Sequence, residues 1–185
     1  PFFNLAADDA INYGAIGGVI GHEMGHGFDD QGAKSNGDGL LINWWTEQDL
    51  KEFNSRTQKI VSQYNSFVVL DDVHVNGELT QGENIGDLSG LTIAYKAYQR
   101  SLNGKEAPVM DGFTGEQRFF LGWGQVWANK YRDAELRRRI MTDPHSPPRF
   151  RTNGVVPNMP EFHQAFGVSK GDAMFLPEEE RVKIW

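Results

Sequence analysis

The stretch VIGHEMGHGFDDQG, residues 19–32, sets His22 and His26 four positions apart, with Glu23 directly after the first. On a helix, positions i and i+4 share a face. Two imidazoles so placed can bind one zinc ion. Glu23, about 100° further round the helix, can reach a zinc-bound water without being a ligand. Zinc lowers the pKa of that water towards neutrality, so Glu23 can take its proton and pass it to a leaving amine. At average composition the same five-residue pattern arises by chance in roughly one chain of this length in a few hundred. The context argues against chance. An apolar run precedes His22, and an apolar buried helix rarely carries two histidines and a glutamate without partners for them.

A hydrolytic zinc site wants three protein ligands and one open position. No H-x-x-G-x-x-H continuation follows His26, so a downstream glutamate is needed. In TQGENIGDLSG, Glu83 and Asp87 lie four apart on a predicted helix. Glu83 can coordinate the metal, while Asp87 accepts a hydrogen bond from a ligand imidazole and fixes its tautomer. Carboxylates also favour the first turn of any helix, so the pair could be no more than an acidic helix start. Glu78 and Glu116 compete as ligands but lack a carboxylate four residues on.

These groups need a scaffold. The chain has 185 residues, 39% hydrophobic and 12% aromatic, enough for the core of one domain. The net charge of −7 argues against nucleic acid as the main partner. There is no cysteine, which excludes a disulfide framework and a thiolate metal site. No run of about 18 apolar residues suggests a membrane span. The sequence shows no signal peptide, and its start on PFF without methionine suggests a cut from something longer.

Residues 1–10 read as a leading loop, and 9–28 as one apolar, Gly-rich helix. Several glycines in a buried helix usually mark close approach of another backbone. Residues 29–42 form a polar loop. Thr46 can cap a long amphipathic helix to about Asn65. VVLDDVHVNGELT alternates and contains Asn-Gly, suggesting a short hairpin or an extended connection. A helix follows from about Gly82 to Leu102, then a loop over 103–115. Thr114 and Gln117 resemble a capping box opening a helix that continues to Arg132. Residues 143–151, DPHSPPRFR, are too proline-rich for regular helix. Phe162 and Phe166 sit one turn apart in a short helix. Trp44 and Trp45 read as core anchors, Arg137 to Arg139 as a solvated helix face, and His74 and His163 as surface or packing residues. SNGDGLL lacks the alternating carboxylates and closing glutamate of a calcium loop. The expected fold is mainly α, with few short strands.

GHEMGHGFDDQG, NWW, GENIGDLSGL, FFLGWGQVW, DPHSPPRFR and a terminal VKIW occur in this order. Together they resemble the neprilysin, endothelin-converting enzyme and PepO family of zinc metallopeptidases (M13, a gluzincin family) over nearly the whole chain. The resemblance implies a zincin, thermolysin-like helical subdomain with one zinc ion per chain on His22, His26 and Glu83, and Glu23 as general base. It places Asp87 at the family's ExxxD aspartate, often assigned as a proton donor but physically better read as the partner of a zinc-bound imidazole. Asp143 and Asp29 join it as carboxylates behind the site.

His145 matches the family's transition-state-stabilising histidine. An imidazole there can donate to the oxyanion, with Asp143 holding its tautomer. Arg151, rather than its neighbour Arg149, falls where the family's arginine binds the substrate backbone carbonyl. Phe2, Val19 and Trp127 match positions lining the hydrophobic pocket past the scissile bond. However, Phe119, Trp123 and Trp127 also make a stripe of core spacing. Gly18 stands where some relatives have a larger apolar residue, which bears on the size of that pocket.

Family members are several times longer. Neither their substrate-aligning N-A-[YF] segment nor their large helical lobe is found here. The resemblance therefore implies the C-terminal zinc-binding part of an M13 peptidase as a single domain, weakly active or inactive by itself, within an endopeptidase for oligopeptides that cuts on the amino side of hydrophobic residues. It suggests an extracytoplasmic setting, with bacterial cytoplasm also open. The missing cysteine near Trp185 fits a bacterial relative. Oligomeric state is left open. The competing expectation is a zinc-stabilised binding or scaffold domain without turnover. A G-x-M-E-N aminopeptidase signature is absent.

Overall fold

The structure, a computed structural model, describes residues 2–71 and 73–185. Pro1, in the leading loop, and Asp72, in the VVLDDVHVNGELT stretch, lie outside the described residues. Asp8 caps the first helix, its carboxylate accepting from the Ala10 amide at 2.8 Å. The helix expected over 9–28 is continuous but not uniform. It runs as α1 (Asp9–Asn12), a π-helical turn (Tyr13–Gly17), α2 (Gly18–Gly25) and a closing 3₁₀ turn (His26–Phe28). The helix α4 (Gln81–Ser101) lies against α2 and the π-helical turn.

Glycines set how close that crossing is. A Cβ on Gly21 would sit 2.6 Å from the Gly90 carbonyl oxygen, and one on Gly90 would overlap the His22 amide nitrogen. A Cβ on Gly86 would meet His22 Nδ1 at 2.8 Å. Each interior glycine weakens a helix by roughly 1 kcal/mol relative to alanine. The gain is that the two backbones touch where His22 needs Asp87. Gly18 is explained in the same way, because a Cβ there would lie 2.8 Å from the Trp123 ring. Trp123 fills the space a larger residue would take.

Thr46 caps α3 (Glu47–Asn65), its hydroxyl accepting from the Asp49 amide at 3.1 Å. Phe53, Thr57, Ile60, Val61 and Tyr64 form its buried stripe. The short strands β1 (Val68–Leu70) and β2 (Val73–His74) pair antiparallel. Asn76-Gly77 is therefore not the hairpin turn. Gly77 instead donates its amide to Asn65 Oδ1 at 2.6 Å, docking the segment on α3. Thr114 and Gln117 form both halves of the capping box of α5 (Gly115–Val126).

That helix ends six residues earlier than its pattern suggests. Arg132 is extended (ψ 149°) and a separate helix, α6 (Asp133–Thr142), begins, with Asp133 and Glu135 complementing its N-terminus. The proline-rich segment is corrected in its second half: Pro148 opens α7 (Pro148–Asn153). A proline at the first helical position lacks only an amide that would be unpaired anyway. The short helix α8 (Pro160–Phe166) buries Phe162 but leaves Phe166 half-exposed.

Phe119 and Trp123 are fully buried core residues between α1, α4 and α5. Trp45 packs on the core and donates to the Ala33 carbonyl at 2.7 Å. Trp44 does not anchor the core: it stacks on the outer face of Trp45 and is 46% exposed. His74 is exposed and His163 buried. The fold is mainly helical, and no helix among the described residues is long and apolar enough to cross a membrane.

Gly90→Ala forces α2 and α4 apart. Overpacking of this kind costs about 1–3 kcal/mol or more. Thermal denaturation is expected to show a clear fall in Tm, with Gly27→Ala, whose Cβ meets nothing within 4 Å, close to wild type. Equal Tm for both variants would show that the crossing tolerates a methyl.

Candidate metal centre

Two histidines from α2 and its closing turn face one glutamate from α4. His22 Nε2 lies 3.1 Å from Glu83 Oε2, and His26 Nε2 lies 3.6 Å from Glu83 Oε1. Two ligand atoms about 2.1 Å from a tetrahedral zinc ion would be about 3.4 Å apart. The other nitrogen of each ring is held. His22 Nδ1 lies 2.8 Å from Asp87 Oδ1, and His26 Nδ1 lies 2.8 Å from Asp29 Oδ2. Asp29 is itself fixed, accepting from the Gln31 and Gly32 amides at 2.8 and 2.7 Å.

His22, His26 and Glu83 can each offer a ligand atom within 4.8 Å of the others. The Glu83 Oε2 atom is buried and lacks a well-directed hydrogen bond, although His22 Nε2 and His145 Nε2 both lie 3.1 Å away. An orphaned carboxylate oxygen facing imidazoles whose far nitrogens are tied to aspartates is a donor set that suits zinc. Glu78 and Glu116 lie elsewhere, with Asn65 donating to Glu78 and Gln99 to Glu116.

Behind this group sits a buried ion pair. Arg151, on α7, donates to both oxygens of the fully buried Asp87, at 2.7 and 2.6 Å. Its guanidinium stacks 3.9 Å over the Trp127 ring, and its carbonyl accepts from Trp123 Nε1 at 2.9 Å. Arg149, by contrast, is exposed. His145 Nδ1 lies 2.7 Å from Asp143 Oδ1. His145, Asp143, Arg151 and Trp127 line a common cavity of about 180 Å³.

The family model for peptidase family M13 matches residues 1–182. The chain belongs to peptidase family M13. It is 42% identical to human neprilysin, over all of this chain and 25% of that protein. It is 45% identical to neprilysin-11 of Caenorhabditis elegans, over 90% of this chain and 20% of that protein. The zinc metalloprotease Zmp1 of Mycobacterium tuberculosis, in complex with an inhibitor, superposes with a TM-score of 0.97 at 57% identity, covering all of this chain and 29% of that one. PepO from Lactobacillus rhamnosis superposes at 0.89 with 32% identity, covering all of this chain and 28% of that one. The chain thus spans a fifth to a quarter of the length of these curated relatives.

Within this M13 chain, His22, His26, Glu83, Asp87, Asp29, His145, Asp143, Arg151 and Trp127 form one contiguous group. Glu23 is exposed on the same helix as His22. Val19 is half-buried against the core. Phe2 is not brought to Trp127. It lines a separate cavity of about 330 Å³ with Asn4, Ile11, Ala15 and Gln125.

Sequence reasoning passed over Ser146 and Asn84, and its solvated face of Arg137 to Arg139 holds for Arg137 and Arg138 but not for Arg139, which is half-buried. The Ser146 hydroxyl donates to Asn84 Oδ1 at 2.7 Å, both residues buried, and Arg139 donates to Asp143 at 2.6 Å. The i,i+4 spacing of Arg139 and Asp143 was a readable signal. The link between Ser146 and Asn84, 62 residues apart, left none.

Burial pulls the His22 imidazole down, but the Asp87 and Glu83 carboxylates outweigh it and hold it at about 9, against 6.5 for a free histidine. Burial would raise Glu83, but His145 and His22 keep it well below the usual carboxylate range. In the metal-free chain, protonated His22 therefore contributes stability fully below pH 6.5, and loses it as pH rises through about 9. Zinc needs the neutral imidazole, so proton competition relaxes over that same window. The rise in Tm on adding zinc to chelator-treated chain is thus expected to grow from pH 6.5 towards 9. Scanning fluorimetry that finds a flat or shrinking increment would contradict this coupling.

Proposed function

We propose that this chain carries the catalytic centre of a zinc endopeptidase that hydrolyses oligopeptides on the amino side of hydrophobic residues. The observation that carries the reading is the His22, His26 and Glu83 group, with Asp87 and Asp29 behind the two imidazoles. Its likeness to Zmp1, a zinc metalloprotease by name, supports the choice of metal.

His22, His26 and Glu83 would hold one zinc ion. When bound, zinc supplies a Lewis acid that acidifies water and polarises a peptide carbonyl. Asp87 and Asp29 keep each Nδ1 protonated, so each Nε2 lone pair is free for the metal. Glu23 stands one residue past His22, is exposed, and would take the proton of the attacking water and return it to the departing amine.

His145 would stabilise the oxyanion through Nε2. With Nδ1–H given to Asp143, donation from Nε2 requires the imidazolium, the form that the Asp143 carboxylate favours. Arg151 lines the same cavity and would donate to the carbonyl of the residue past the scissile bond. Trp127, Val19 and Phe2 are proposed to border the pocket for the hydrophobic side chain. Phe2 lines a separate cavity in this chain, so Trp127 and Val19 carry that reading here. Because the chain spans a fifth to a quarter of its curated relatives, the longer protein is the form expected to turn over. The 185-residue chain alone is expected to cleave weakly or not at all.

Glu23→Gln in the full-length protein tests the mechanism. Zinc content should stay, and cleavage of a fluorogenic peptide should fall by about 10²–10⁴-fold, the usual contribution of a general base. Undiminished cleavage would sink the assignment. A wild-type protein that holds zinc but never cleaves would favour a zinc-stabilised scaffold instead.

A further inference from the structure

The three consecutive arginines of α6 are not equivalent. Arg137 reaches Asp71 at 3.1 Å and Arg138 reaches Glu135 at 2.7 Å, both from exposed positions. Arg139 turns inward. Its Nε donates to Glu135 at 2.9 Å, its guanidinium lies 4.4 Å over the Tyr131 ring, and its Nη1 donates to Asp143 Oδ2 at 2.6 Å.

Asp143 divides its two oxygens. Oδ2 takes Arg139, while Oδ1 takes both the His145 ring at 2.7 Å and the His145 amide at 3.0 Å. The terminal torsion of an aspartate is broad and nearly two-fold, so one carboxylate can rotate freely between rotamers. A cation fixed on Oδ2 removes that freedom and leaves Oδ1 aimed at the imidazole. On the other side of His145, the Ser146 hydroxyl ties the loop to Asn84, the neighbour of Glu83, at 2.7 Å. The Ser146 link fixes the loop backbone, while the Arg139 link acts on the Nδ1 side of the ring through Asp143.

We propose that Arg139 is a positioning residue for His145, acting through the Asp143 carboxylate. The inference rests on the peptidase reading above. Arg139 would not touch substrate. It would hold the ring so that Nε2 meets the developing oxyanion, which is a contribution to kcat and not to substrate binding.

The test uses zinc-loaded full-length protein and one peptide substrate, with Glu23→Gln in the same assay as reference. Arg139→Ala should lower kcat by about 10-fold, inside the roughly 10²-fold that misplacing a catalytic group can cost. KM and zinc content should hold. Arg139→Lys should restore most of the loss. Arg138→Ala, which strips a partner from the same Glu135, should leave kcat unchanged. The double variant with Asp143→Asn should be no slower than Asp143→Asn alone, since both act through one carboxylate. If Arg139→Ala does not fold, Arg139→Gln, which keeps most of the side-chain stem but not the charge, takes its place with the same expectation. A kcat within twofold of wild type, or losses that multiply with those of Asp143→Asn, would overturn the proposal. If Glu23→Gln abolishes cleavage and Arg139→Ala leaves kcat intact, the positioning inference alone fails. If Glu23→Gln cleaves normally, the peptidase reading itself fails.

Discussion

The approach of α2 to α4 is the constraint on which the rest depends. Gly21, Gly86 and Gly90 let two helix backbones come into contact, and nothing larger fits at these positions. His22 then lies directly on α4, its two ring nitrogens level with two residues one turn apart, Glu83 and Asp87. Had the helices crossed at the usual 8–10 Å spacing of side-chain-mediated packing, one imidazole could not reach both carboxylates. The weak helix propensity of the Gly-rich segment is the counterpart of that reach.

The buried charges are balanced within a small volume. Asp87 has no contact with water, yet it is met by His22 and by both arms of Arg151. Isolated buried ion pairs seldom add stability, but breaking one leaves an uncompensated charge and is strongly destabilising. Arg151 comes from α7, 64 residues beyond Asp87, so the ion pair joins the C-terminal third of the chain to the metal-binding helices. Trp123 on α5 and Trp127 just past its end brace it, one at the carbonyl and the other at the guanidinium face. The aromatic stripe that runs off the end of α5 is thus shared, with Phe119 and Trp123 in the core and Trp127 at the edge of the site.

Local signals were legible. The Thr46 cap, the Thr114–Gln117 box, the buried stripe of α3 and the close approach hinted at by glycines all follow from spacing. His22, His26, Glu83 and Asp87 were legible because helical periodicity alone puts each pair on one face. Proline content misled at 148–151, because a proline that begins a helix and one that breaks it look alike in composition. The end of α5 was hidden because residues 127–132 keep aromatic and basic residues at helical spacing while the backbone turns out. Links between distant segments, such as Ser146 to Asn84, have no local pattern at all. Trp44 and Trp45 looked identical in sequence, and only the fold separates the buried ring from the exposed one.

The two histidines differ in depth. The His22 side chain is 6% exposed and His26 34%, although both face Glu83. A metal ion held between them would have a closed side and an open one. His22 is walled in by Gly86 and Asp87, while His26 stays open to the surface. The tight crossing that brings the three side chains together thus gives the group one sealed face and one accessible face.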